Sequence, residues 1–208
     1  MLDKIFGADG WVYRILNKLV EFILLNAIFL ITCIPIFTIG CAVTSLYSTT
    51  RNMIKNEGYL VKGYLKNFKE NFKKSTVVWL IMLAILLVLV LDFWILSVEG
   101  RRGMDWIRTI FTVILILWYM IYIYVFPLMS KFENTIKNSM KNALIISMTR
   151  IAFTIPLFLL NILPVIIWFV GGKVLIYGIS IYALLGYSVT AYINTYILEH
   201  VFKKYIKE

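Results

Sequence analysis

Runs of apolar residues long enough to cross a bilayer dominate the chain. A span needs about 20 mostly apolar residues at 1.5 Å rise each. Four stretches meet this clearly: 76–97, 109–129, 151–170 and 174–198. A fifth, 19–37, is apolar but carries Asn26 and Thr32 and runs up to Pro35 and Phe37. Beyond it, 39–54 reads Ile-Gly-Cys-Ala-Val-Thr-Ser-Leu-Tyr and on to Arg51, with too many small and hydroxylated residues for a confident span. The pattern predicts an all-α polytopic membrane helix bundle, a single integral membrane domain over 1–208. It comprises five transmembrane helices plus one short or re-entrant helix, joined to the first by a turn at Pro35, Thr38 and Gly40. Backbone that leaves helical geometry at membrane depth must be satisfied by protein or water, so the turn is expected to be sheltered.

Two further segments carry helical periodicity with a basic polar side. In 59–74, Val61, Leu65, Phe68 and Phe72 form an apolar stripe, with Lys62, Lys66, Lys69, Lys73 and Lys74 on the other faces. In 131–149, Phe132, Ile136, Met140, Leu144 and Met148 line up opposite Lys131, Glu133, Lys137 and Lys141. This is the pattern of helices lying in the inner headgroup layer. Lys62, Lys66, Lys69, Lys73, Glu133, Lys137 and Lys141 are the candidate partner or lipid contacts. Glu133 and the later Ile155-Pro156 echo the coupling loop of bacterial ABC-transporter permeases, without that loop's paired alanines and central glycine.

Composition supports the membrane reading. Of 208 residues 61% are hydrophobic and 15% charged, and the mean hydropathy is +0.85; soluble domains are nearer half apolar and a quarter charged. The formal charge of +10 is explained by position. If 39–54 crosses, or dips and returns, 17 basic residues fall on one side and 4 on the other; otherwise the split is 14 to 7. Basic residues gather in the cytoplasm, so the first arrangement is favoured. It places the chain in the cell membrane with both termini cytoplasmic and removes a nucleic-acid partner. The first apolar stretch lacks a small-residue cleavage site and is expected to be retained, with Phe6 and Trp11 as interface anchors.

Candidate chemistry is sparse. Asp92 is the one carboxylate set well inside a span, near enough to its end to reach outward or pair with Arg101 or Arg102. A proton relay would need a second deep acid or histidine, and the only histidine, His200, ends the last span. Gly178, Tyr182, Gly186, Thr190 and Asn194 recur at intervals of four, suited to close helix packing or to lining a cavity. Asn26, Thr32, Tyr47 and Asn161 are the other candidates for a cavity or packing role. Trp118, Tyr119, Tyr122 and Tyr124 either fill the core or stack on a ligand. Pro156 and Pro164 are expected to kink their span, with Asn161 bonding a freed carbonyl. Cys33 and Cys41 flank the turn without fixing a pairing. No phosphate loop, metal spacing or nucleophile with a base is present, so the expectation is a non-enzyme with no cofactor.

Asn26 to Ala42 followed by Leu46-Tyr47 resembles the YesL family of multi-pass bacterial membrane proteins, with Cys41 where the family commonly has proline. The resemblance extends to Asn67-Phe68 to Phe72, to Phe126-Pro127-Leu128 to Phe132 leading into Lys141-Asn142-Ala143-Leu144, and to Tyr196 through Tyr205. Members are often encoded beside carbohydrate ABC-transporter components in Gram-positive bacteria. The resemblance therefore implies an accessory role in sugar uptake, with ABC-transporter subunits, membrane lipids and a second copy of the chain as candidate partners. A small solute transporter or channel-like protein in its own right, and a lipid-interacting scaffold, are the alternatives.

Overall fold

The computed structural model describes residues 11–98 and 105–205. It is a helix bundle, with no strand among the described residues. Helix α1 (Trp11–Cys33) is followed by a 3-10 turn (Ile36–Thr38) and by α2 (Ile39–Lys55), α3 (Leu60–Val98) and α4 (Asp105–Met129). Then come α5 (Ile136–Thr149), α6 (Ile151–Val170) and α7 (Gly172–Ile181), which passes through a π-helical turn (Tyr182–Gly186) into α8 (Tyr187–Lys203). Five of the continuous helical stretches are long and apolar enough to cross a membrane: α1, α3, α4, α6 and the α7–α8 rod. Phe6 and the Arg101-Arg102 pair lie outside the described residues.

Helix α2 is not among the five, and its seventeen residues span only about 25 Å. It sits in the middle instead. Gly40, Cys41, Ala42, Thr44, Ser45, Leu46, Tyr47, Ser48, Thr49, Thr50 and Met53 are all buried. Small side chains let the neighbours close in: a Cβ on Gly40 would lie 2.4 Å from Trp79 Cβ and 2.7 Å from the Ser75 carbonyl oxygen. The hydroxyls of Thr44, Ser45 and Thr49 bond back to the preceding turn, at Gly40 O, Cys41 O and Ser45 O, which satisfies them within the helix.

The α1–α2 hairpin is shorter than the pair beside it. Its turn is tied to α3 by Trp79 Nε1 donating to Ile36 O at 2.7 Å. The remainder of α3, 80–98, runs on for about 28 Å alongside α4, which Trp118 Nε1 fastens at Met82 O. The chain therefore reverses beside Trp79, part-way along α3. Thr38 closes the turn by donating to Thr32 O and Pro35 O, both at 2.6 Å. The expected sheltering holds for Thr38 and Gly40 but not for the outer side, where Ile34, Ile36 and Phe37 are exposed. Only the polar backbone needs protein around it, and apolar side chains can face lipid.

Three expectations are corrected. The basic segment 59–74 is no separate helix: nothing at Ser75-Thr76 breaks the ladder, and α3 runs unbroken for 39 residues. Its inward residues are Tyr64, Ser75 and Val78, while Val61, Leu65 and Phe72 face outward with the lysines. In and just before α5, Phe132, Ile136 and Met140 of the expected stripe pack against the core together with buried Ser139, Ala143, Ile146 and Ser147, whereas Met148 is exposed. Asn161 donates to Leu157 O at 2.7 Å, whereas the carbonyls that Pro156 and Pro164 release are those of Ala152 and Leu160.

Gly40→Ala is expected to force α2 from α3 at a cost of about 2 kcal/mol. Unfolding in mixed micelles reads this as a lowered midpoint; an unchanged midpoint would show that the two helices are not in contact at Gly40.

Candidate functional site

Two regions carry functional side chains: an ion cluster at one end of the bundle and a cavity at its centre. Lys18, Arg51, Lys74, Lys131 and Arg150 share the first end. Lys18 Nζ donates to Met53 O, Lys74 shares a groove of about 430 Å³ with Ser130 and Lys131, and Arg150 rests beside Tyr205. Arg108 and Lys173 belong to the opposite end, where α4 begins and where α6 turns into α7 through Gly171 and Gly172, both at positive φ.

At the basic end Glu199 of α8 holds two cations. Arg51 Nε lies 2.7 Å from its Oε1 and Lys131 Nζ 2.6 Å from its Oε2. Arg51 also donates to Ser130 O at 2.9 Å and to the Ser130 hydroxyl at 3.3 Å. One carboxylate thus ties α2, the end of α4 and α8 together, in a part-buried setting where Coulomb attraction is screened less than at an open surface. Above it Thr50 and Thr195 share a 2.7 Å hydrogen bond, and Asn194 Nδ2 donates to Tyr47 Oη at 3.1 Å. Charge counting along the sequence registered Arg51 as topology only. Its partner is 148 positions away, and the one hint was an acid directly after an apolar span.

The central cavity, about 460 Å³, lies alongside α1 and α2 next to the turn that joins them. Its walls include Phe29, Tyr47, Trp79, Trp118, Tyr119, Tyr122, Tyr182 and Tyr187, with Asn161 and Thr190. Trp118 stacks on Tyr122 at 5.7 Å and Tyr119 on Tyr122 at 6.1 Å. Both tryptophan N–H groups are committed to backbone carbonyls. Among the described residues, the hydroxyls of Tyr119, Tyr122, Tyr182 and Tyr187 have no hydrogen-bond partner, and they lie near enough to one another and to Tyr47 to interact electrostatically.

Of the candidates read from the sequence, Tyr47, Asn161, Tyr182 and Thr190 meet at this cavity. The others have separate roles. Asn26 is fully buried and plugs the π-helical turn, donating to Tyr182 O and Ala183 O and accepting from Ser188 N. Thr32 bonds Tyr64 Oη at 2.6 Å. A Cβ on Gly178 would lie 2.3 Å from Ile167 Cγ2, and Gly186 is pressed against the Tyr182 ring. The interval-of-four stripe is thereby divided into packing residues and cavity residues. Pro35 and Thr38 shape the turn and do not line the cavity. Lys62, Lys66, Lys69, Lys73, Glu133, Lys137 and Lys141 are all exposed; Lys66 reaches Glu70 at 4.0 Å. Cys33 and Cys41 are free thiols, the latter donating to Phe68 O.

The stretch 22–93 matches the family described as "Protein of unknown function, DUF624". That match takes in α1 from Phe22, the turn, α2 and α3 as far as Phe93. No curated protein and no solved structure matches the chain.

Glu199→Gln leaves Arg51 and Lys131 part-buried without a counter-charge, and a loss of about 3 kcal/mol in unfolding free energy is expected. Combined with Arg51→Met, the loss should be clearly less than the sum of the two single changes. Strict additivity in that double-mutant cycle would show that the pair does not interact.

Proposed function

We propose that this chain is a non-enzymatic accessory or regulatory protein of a carbohydrate ABC transporter, of the YesL type, held in the cell membrane with its basic end and both termini in the cytoplasm. The observation that carries the reading is the basic end itself. Lysines 62, 66, 69 and 73 on the outward side of α3 and Glu133, Lys137 and Lys141 at α5 stand exposed around it, beside the Arg51–Glu199–Lys131 cluster that ties α2, the end of α4 and α8 together. A rigid charged platform at a membrane face is suited to docking a cytoplasmic subunit or anionic headgroups. The family resemblance supplies the expected partner; the match over 22–93 agrees with it without naming one. Positive charge gathered at that end supports its cytoplasmic placement.

The central cavity favours a second reading, a small transporter in its own right. Reconstitution into liposomes separates the two, since solute flux by the pure protein belongs to the second alone.

For the first reading, transporter subunits are expected to co-purify with the full-length chain from native membranes. Reversing charge at Lys66, Lys69 and Lys73 together to glutamate should cut that recovery at least tenfold while leaving the helical circular-dichroism signal unchanged. Recovery of this chain alone, with unaltered sugar uptake in a deletion strain, would overturn it.

A further inference from the structure

The cavity has a side opening as well as a floor. A second hollow of about 330 Å³ shares Leu30, Pro164, Tyr182 and Tyr187 with it and continues outward past Ile167 and Gly178 to Trp168 and Ile179. Trp168 is 65% exposed and Ile179 48%, so this path between α1, α6 and α7 ends on the apolar flank of the bundle. Towards the basic end the way is closed, because Tyr47, Asn194, Thr50 and Thr195 are buried and bonded to one another. Access is lateral, from lipid.

The lining defines what fits. No Asp, Glu, Lys, Arg or His lines either hollow among the described residues, and a charged group brought there would lose its hydration without a partner. The walls are aromatic and aliphatic, yet four phenol hydroxyls stand without protein partners, and the carbonyl of Asn161 adds an acceptor because its amide nitrogen is already committed to Leu157 O. That is an apolar chamber with a few convergent neutral hydrogen-bonding groups, and its volume is that of a small-molecule site.

We propose that the cavity binds an uncharged amphiphile drawn from the bilayer. Its hydroxyl or ester group bonds to the phenols of Tyr119, Tyr122, Tyr182 and Tyr187, and its hydrocarbon chain leaves through the gap between Leu30 and Pro164. The ring faces are largely occupied by each other, as the Trp118–Tyr122–Tyr119 stack demonstrates, which argues against an aromatic cage for an organic cation. Binding of this kind is independent of whether any solute crosses the membrane and of whether a transporter docks on the basic end.

The test uses the full chain with Trp11, Trp94, Trp106 and Trp168 changed to phenylalanine, leaving Trp79 and Trp118 at the cavity as the only tryptophans. The probe is a monoacylglycerol with a dibrominated chain, compared with the same chain as a fatty-acid anion and as an alkyl trimethylammonium. Saturable quenching by the neutral probe, at least tenfold tighter than by either charged one, is expected. Ala191→Phe, which fills the chamber, should weaken it tenfold or more. The pair Tyr182→Phe and Tyr187→Phe keeps the volume and removes two hydroxyls, and should reduce the preference for the neutral probe. Quenching that rises linearly with probe, a cation bound as tightly as the neutral lipid, or indifference to both sets of changes would overturn the proposal.

Discussion

A helix rich in hydroxyls can occupy the middle of a membrane protein only if every hydroxyl is answered by protein, and the rest of this bundle is arranged around meeting that condition for α2. Thr44, Ser45, Thr49 and Thr50 bond to their own preceding turns, Thr44 and Thr50 also outward to Ser75 and Thr195, and Tyr47 accepts from Asn194. The first outward bond recruits α3 and the other two α8. Both approach closely because Gly40, Ala42 and Ser45 leave little bulk between helix axes. The same logic ends at Arg51, where a guanidinium on the central helix is accommodated by one carboxylate and the Ser130 backbone. Packing in lipid has no hydrophobic driving force between helices, so close contact and these polar bonds do the orienting.

From this follows the shape of the cavity. Its walls come from both arms of the α1–α2 hairpin, from Phe29 to Cys33 and from Ile39 to Tyr47, and from α4, α6 and the π-helical turn, so the hollow lies alongside the hairpin. Aromatic side chains occupy its walls and leave a hollow that they do not fill. The π-helical turn contributes by placing Tyr182 and Tyr187 together at the rim, and Asn26 supplies the donors and acceptor that such a turn requires.

The apolar spans were legible from hydropathy because length and composition suffice for them. The odd character of 39–54 was legible too, since small and hydroxylated residues do not belong against lipid. Which face of a helix turns inward was not. Periodicity gathers Leu65, Phe72 and Met148 into apolar stripes without saying which neighbours meet protein, and Tyr64, Ser75 and Ser147 are the buried residues. The π-helical turn left no sequence signal beyond a glycine among tyrosines. Arg51 and Glu199 were visible as charges, but a partnership across the length of the chain emerges only from the packing of α2 against α8.

The placement of α2 also bears on how the protein is made. A nascent segment this polar gains little by partitioning from an insertion channel into lipid, and its enclosing partners are synthesised afterwards, α8 last of all. Until Thr195 and Glu199 are made to meet Thr50 and Arg51, α2 lacks the contacts that α8 supplies in the finished bundle.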